Sequence, residues 1–185
     1  MKLSDLIKEV NKDIDDSLSN GEITGWLNRA LDDLTPYAKY QAFKTISLIS
    51  EQKEYSLPAD LFEIIHLVDE NDGKSFNQIP MQDFSSNGYK RWGGKLIFQP
   101  LPKQNKDISL YYHARLPHLV NPDDAPVISE EFHDLLVLFA VAKAKYQDEE
   151  ESMQNNAMQE YFMRKEQFIS FNQSGETYTV QEVYW

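Results

Sequence analysis

Residues 129–144 read SEEFHDLLVLFAVAKA, and this stretch decides how the rest of the fold must be arranged. Ser129 is a good N-cap residue, and the acidic residues that follow it favour the positive end of a helix dipole. Beyond them the predicted helix, over residues 129–147, is apolar on nearly every side. A helix without a polar face is buried. We therefore expect it to lie centrally in its domain or against another subunit.

Three further segments have the apolar spacing of amphipathic helices, over residues 4–19, 22–42 and 152–171. The second of them has the longest apolar face, which includes Trp26. Pro36 falls inside its pattern and should kink the helix or end it early.

Between residues 44 and 115 the apolar period changes to two, and turn residues such as Asn71-Asp72-Gly73 separate the short runs. This pattern predicts a small antiparallel β block. The predicted fold is α+β, with a four-helix bundle-like core, the inserted β block and an extended C-terminal tail. Residues 1–173 form the predicted domain, and residues 174–185 form the tail.

The composition excludes several classes of protein. The 185-residue chain has no cysteine, so disulfides, zinc–thiolate sites and thiol catalysis are absent. Its net charge is −12, and residues 129–185 hold eleven of the acidic residues against four basic ones. Such a chain should not bind nucleic acid by counterion release. No apolar run approaches the ~20 residues that cross a membrane.

The histidines raise the question of a metal site. The chain has four of them: His66, His113, His118 and His133. Three fall in a short stretch beside acidic residues, but none of the pairs has the i,i+4 spacing of a helical ligand pair. We predict no metal and no other cofactor.

Catalytic patterns are equally weak. Glu130 and Glu131 belong to the first turn of a helix, where acids stabilise the dipole, and residues 148–151 form an acidic turn between helices. The acids of that turn are Asp148, Glu149, Glu150 and Glu151. No strained serine turn of the form Gly-x-Ser-x-Gly occurs. Gly93-Gly94 lacks the rest of a phosphate-binding loop. We therefore predict that the protein is not an enzyme.

Bases and aromatic residues interleave in the predicted loop that contains Tyr89, Lys90, Arg91 and Trp92. Such a cluster can stack on a partner. The alternative is that Trp92 packs on the β block while Lys90 and Arg91 stay in solvent. Tyr89 and Trp92 are candidate contacts to a partner protein rather than to DNA.

The tail alternates in polarity from Thr177 to Trp185 and is rich in β-branched and aromatic residues. One interpretation is that it adds a strand to the sheet edge of another subunit. The other is that it folds back on its own domain. The residues that would dock are Tyr178, Val180, Val183, Tyr184 and Trp185.

Four stretches resemble the head-to-tail connector (adaptor) proteins of tailed bacteriophages. They are residues 55–65 with Leu57-Pro58, residues 94–98 after Gly93, residues 108–112, and residues 128–136. In that family a helix carrying a tryptophan, here Trp26, precedes a strand with Leu-Pro. A glycine-rich hairpin and an acidic, alanine-rich helix follow. The resemblance covers roughly residues 20–170.

The resemblance implies a structural virion protein at the head–tail interface. Such adaptors form a ring, usually of twelve copies, beneath the portal, and they extend the DNA channel without binding DNA specifically. They present a surface to tail or stopper proteins and have no enzymatic activity. Their C-terminal segments often reach the portal, which makes the five tail residues candidates for portal docking. Tyr89 and Trp92 become candidates for tail-side or inter-subunit contacts.

The acidic residues fit a channel wall that repels DNA phosphate. The candidates are Glu130, Glu131, Asp148, Glu149, Glu150 and Glu151. A second interpretation is a cytosolic acidic binding module or assembly chaperone that shields a basic partner.

Overall fold

The structure is a computed structural model, and it describes residues 1–14, 18–147 and 151–173, with the side chains of residues 151–155 left aside. The chain divides into two compact units. Residues 1–39 and the chain from residue 116 form one, which we call the helical unit. Residues 40–115 form the other, the β unit.

The described part of the helical unit contains four α-helices: α1 (Leu3–Val10), α2 (Asn20–Ala38), α3 (Asp134–Gln147) and α4 (Glu151–Gln173). A short 3-10 turn, Glu130–Phe132, precedes α3. Ser19 caps α2, because its hydroxyl oxygen accepts from the backbone N–H of Glu22 at 3.3 Å and the Glu22 carboxylate accepts from the backbone N–H of Ser19 at 3.1 Å.

Helix α3 is the centre of the helical unit. It packs against α1, α2 and α4, and it buries Leu135, Leu136 and Ala140 completely. The same core takes up Trp26 from α2 and Phe168 from α4. The apolar sides of α3 are thus covered within the chain. Of the two expected positions, central in its domain or against another subunit, the fold has the central one.

The irregular segment after residue 115 is held to α2 by side-chain hydrogen bonds. Asn28 donates from Nδ2 to the Leu119 carbonyl at 3.0 Å and accepts from the Leu119 N–H at 2.8 Å. The Thr35 hydroxyl accepts from the Leu116 N–H at 3.2 Å. Leu116 and Leu119 are buried, so a stretch without secondary structure still contributes to the core.

The β unit contains seven strands: β1 (Gln41–Leu48), β2 (Glu54–Ser56), β3 (Leu61–Asp69), β4 (Lys74–Ser75), β5 (Gly88–Trp92), β6 (Lys95–Gln99) and β7 (Lys106–Ala114). They form two antiparallel sheets, with the orders β1-β7-β3-β4 and β2-β6-β5. Strand β7 shows the alternation most clearly, because Ile108, Leu110, Tyr112 and Ala114 are all buried.

Gly93 and Gly94 form the two-residue turn between β5 and β6, where Trp92 pairs with Lys95. Both glycines have positive φ, 55° and 74°. A two-residue hairpin turn with positive φ at both positions matches the right-handed twist of its strands, and glycine adopts it without steric cost.

The chain is α+β as predicted, but the predicted four-helix bundle-like core is wrong. Helix α1 has 8 residues and is about 12 Å long, whereas α4 has 23 residues and is about 35 Å long. Helices so unequal cannot run side by side over one common length. In addition, the two sheets have a hydrophobic core of their own, built around Leu96 and Leu110.

Several local expectations also differ from the structure. The helix predicted over residues 4–19 ends at Val10, and the helix predicted over residues 22–42 ends at Ala38. Residues 88–92 form strand β5, although they were expected in a loop. Ser129 makes no capping hydrogen bond from its side chain, and α3 begins at Asp134 after the 3-10 turn. The division into residues 1–173 and 174–185 stays a prediction.

A buried polar group joins α2 to α4. The Tyr161 hydroxyl donates to the Asp33 carboxylate, and Lys165 Nζ forms an ion pair with the same carboxylate at 2.6 Å. Burial raises the pKa of Tyr161 far above its ordinary value, and the hydrogen bond to Asp33 and the negative charge of Asp33 raise it further. The neutral phenol is therefore the form that the fold requires.

We expect Tyr161→Phe to lower the free energy of unfolding by about 1.5–3 kcal/mol at neutral pH, because a hydrogen bond to a charged group is lost. The raised pKa of Tyr161 implies that its contribution is present below pH ~10 and lost as the pH rises above it, since the unfolded chain then releases the proton first. Urea unfolding of both proteins from pH 7 to pH 11 checks this. An unchanged gap between them at pH 11 would contradict it.

Gly88 lies where strand β5 pairs side by side with residues 77–79 in a parallel bridge. Its neighbour Tyr89 donates its N–H to the Asn77 carbonyl at 3.0 Å and accepts from the Ile79 N–H at 2.8 Å. A Cβ atom at position 88 would lie 2.3 Å from the Asn77 carbonyl oxygen. Backbone cannot move aside as a flexible side chain can, so this position requires glycine.

Gly88→Ala should therefore lower the free energy of unfolding by about 1–3 kcal/mol or more. The matched control is Gly25→Ala, at an exposed site in α2 where the new methyl group meets no atom within 4 Å. It should raise the stability by about 0.5–1 kcal/mol. Equal urea midpoints for the two variants would show that the backbone contact at Gly88 does not constrain strand β5.

Candidate interaction surface

The histidines are used locally. His113 and His118 lie 3.4 Å and 2.9 Å from the carboxylates of Glu63 and Asp32. His66 Nε2 lies 3.1 Å from the Ser75 hydroxyl. His133 is buried, with Nε2 at 3.1 Å from the Ile128 carbonyl, and burial lowers its pKa. Among the described residues no three His, Asp or Glu side chains are arranged to hold a metal ion.

Two of the six candidate acids can be placed. Glu130 is exposed, with an 85% accessible side chain, and its carboxylate lies 3.2 Å from the Met1 ammonium. Glu131 is also exposed and accepts a hydrogen bond from the Ser129 hydroxyl at 3.2 Å. Asp148, Glu149 and Glu150 lie outside the described residues, and Glu151 opens α4 without a described side chain.

The five predicted docking residues of the tail also lie outside the described residues. They are Tyr178, Val180, Val183, Tyr184 and Trp185. Their contact with a portal stays a prediction.

The two aromatic residues of β5 have opposite environments. Tyr89 is 5% exposed and belongs to the core of the β unit, whereas Trp92 is 69% exposed beside the hairpin turn. Of the two, only Trp92 offers its side chain to a partner. Lys90 is buried, and its Nζ donates to the Met81 carbonyl at 3.1 Å and lies 4.3 Å from the centre of the Phe84 ring. This arrangement is the reverse of the packed Trp92 and solvated Lys90 that we considered.

An aromatic pair lies on the outer face of the four-stranded sheet. Phe43 is 66% exposed, and its ring stacks on that of Tyr111 across the β1–β7 ladder, with 6.1 Å between centroids. The Tyr111 hydroxyl donates to Glu70 at 2.5 Å, which raises the pKa of Tyr111 and lowers that of Glu70. Strand β1 is also the last strand on its side of this sheet.

The β unit also contains a groove of about 450 Å³. The apolar residues that line it are Leu48, Phe76, Phe98, Pro100, Leu101 and Pro102. Phe76 packs edge-on against Phe98, and their ring centroids are 5.5 Å apart. Asn77, Asn87 and Gln104 add amide groups that can bind a peptide backbone. Its volume falls within the roughly 300–1,000 Å³ of typical ligand clefts.

Three lysines line this groove: Lys74, Lys103 and Lys106. Lys106 is paired with the buried Asp69 at 2.6 Å, which lowers the pKa of that carboxyl group. Lys74 and Lys103 are exposed, and no carboxylate of the described part of the chain forms an ion pair with them. The Lys74 Nζ lies 5.8 Å from the centre of the Phe76 ring.

The groove was not predicted from the sequence. The sequence contains the Lys74–Phe76 spacing and the Pro100-Leu101-Pro102 run, but no local pattern in it shows that the two segments meet. Among the described helices, none is both long and apolar enough to cross a bilayer.

The model of the SU10 adaptor protein family matches residues 1–181. The chain belongs to the SU10 adaptor protein family. The resemblance to phage head–tail adaptors is thereby confirmed, and it extends beyond residues 20–170 at both ends. A search of curated proteins found no match.

Membership in the SU10 adaptor family identifies a structural adaptor of a bacteriophage that interacts with other head or tail proteins and belongs to the virion. For such a protein the exposed aromatic residues and the groove are candidate protein contacts. A catalytic centre is not the expected functional unit of a structural family.

We expect Trp92→Ala to leave the free energy of unfolding within about 0.5 kcal/mol of the parent protein, because the ring is largely in solvent. Tyr89→Ala should cost about 3–5 kcal/mol, because a large core side chain is removed. Urea unfolding measures both. A destabilised Trp92→Ala protein would assign Trp92 to the core and remove it from the candidate contacts.

Proposed function

We propose that the protein is a ring-forming adaptor that joins the capsid portal to the tail and extends the DNA channel. The observation that carries this proposal is the match of the adaptor family over residues 1–181. The family gives the class of the protein. Ring formation, usually of twelve copies, and the contact with the portal are the finer statements that we add.

The C-terminal segment supplies the contact with the portal. Tyr178, Val180 and Tyr184 fall on one face of an extended chain, and Val183 and Trp185 fall on the other. Such a segment gains backbone hydrogen bonds when it adds to a foreign sheet edge, and it gains apolar burial on both faces. Its composition, with aromatic and β-branched residues, suits this role.

The acidic residues keep DNA mobile. A net charge of −12 disfavours binding to phosphate, and exposed acids such as Glu130 and Glu131 are candidates for the channel wall together with residues 148–151. DNA passes the ring without a specific contact. No cofactor and no catalytic step are required for this function.

The β unit supplies surfaces for neighbouring copies or for tail and stopper proteins. Trp92 and the stacked pair of Phe43 and Tyr111 are aromatic and accessible. Exposed aromatic side chains are enriched among the residues that dominate binding at protein interfaces.

Deletion of residues 174–185 tests the role of the segment. The truncated protein should remain folded, because the helical core and the β core are built from residues before 174. It should no longer bind portal rings in a pull-down or by analytical ultracentrifugation. The full-length chain with Gly25→Ala, at an open position outside the proposed contacts, is the control, which should keep its affinity for the portal.

Portal binding by the truncated protein with unchanged affinity would contradict the docking role. Electron microscopy of the full chain mixed with portal tests the ring itself. A second ring stacked on the portal is the expected image, whereas single bound copies would refute the proposed assembly.

A further inference from the structure

The groove of the β unit combines apolar side chains with lysines. Its apolar floor includes Phe76 and Phe98, and its two exposed lysines, Lys74 and Lys103, form no ion pair with a described carboxylate. A positively charged, apolar groove is unusual in a chain of net charge −12. Its chemistry calls for an extended polypeptide with an aromatic side chain and at least one carboxylate.

The chain itself contains a segment with this chemistry. Residues 174–185, SGETYTVQEVYW, have two glutamates, three aromatic residues and no basic residue. They follow the last described helix, α4. The negative charge of this segment is thus complementary to the lysines of the groove, and its aromatic residues match the apolar lining.

The spacing of the groups also agrees. In an extended chain, residues i and i+2 project from the same face and are about 7 Å apart. Glu182 and Tyr184 have this relation. In the groove, the Lys74 ammonium lies 5.8 Å from the centre of the Phe76 ring. The two spacings are similar, so one extended segment can bring its carboxylate to Lys74 and the phenol two residues later to the Phe76 ring.

We infer that this groove binds the segment 174–185 of a second copy of the chain, with Glu182 paired to Lys74 or Lys103 and Tyr184 against Phe76. The inference rests on the proposed assembly of identical copies. It gives the segment a binding site on a neighbouring copy in addition to the proposed site on the portal.

A labelled synthetic peptide of residues 174–185 and fluorescence anisotropy test the inference on the full-length protein. The peptide should bind in the absence of portal. The double variant Lys74→Glu/Lys103→Glu should weaken binding at least tenfold. Both side chains are exposed, so thermal unfolding should show an intact fold. The matched control is Lys44→Glu/Lys53→Glu, which makes the same change in net charge outside the groove.

The peptide with Glu182→Lys should bind the parent protein poorly and should regain affinity for the Lys74→Glu/Lys103→Glu protein. Equal weakening by the two lysine double variants would show nonspecific charge attraction and overturn the inference, as would the absence of peptide binding. If the peptide binds but no ring forms on a portal, the proposed function fails while the groove assignment stands.

Discussion

The burial of α3 is the constraint on which the helical unit depends. Its sequence has no polar face, so the helix can exist in water only if other elements surround it. Helices α1, α2 and α4 do so within a single chain. The all-round apolar pattern is therefore no evidence for a neighbouring subunit. The proposed contacts between copies would instead use surfaces that the folded chain leaves uncovered, and the described surface offers several in the β unit.

The sequence predicts the central helix and the α2 face well because a long apolar period has few alternative explanations. It also predicts the glycine turn of residues 93–94 as part of a hairpin through the family resemblance. It fails at β5, where Lys90 occupies a buried position in a strand of only five residues. The lysine is tolerated because its stem packs inside while its ammonium reaches the Met81 carbonyl and the Phe84 ring. Such compensation is tertiary and invisible in the local sequence.

The bundle prediction fails for a different reason. The apolar patterns predict four helices of similar length, over residues 4–19, 22–42, 129–147 and 152–171, whereas the helices of the structure range from 8 residues in α1 to 23 in α4. The contacts that anchor the segment after residue 115 include side-chain hydrogen bonds of Asn28 and Thr35. They have no periodicity. The groove likewise combines residues from five strands and two loops, so only the fold brings Lys74 together with Pro100 and Phe98.

In the proposed ring, a groove with modest affinity for the segment 174–185 is sufficient to bind it. A segment carried by an adjacent copy acts at an effective concentration of about millimolar when its tether matches the distance to be spanned. Contacts that are too weak to form between free copies at micromolar concentration can then form in the proposed assembly. The acidic surface has the opposite effect, since like charges oppose the first encounter of two copies. In the proposed assembly, copies held together by the portal overcome that repulsion once, and each closed contact then supports the next. Weak, charge-complementary contacts on an acidic chain therefore favour assembly on a template over assembly in solution.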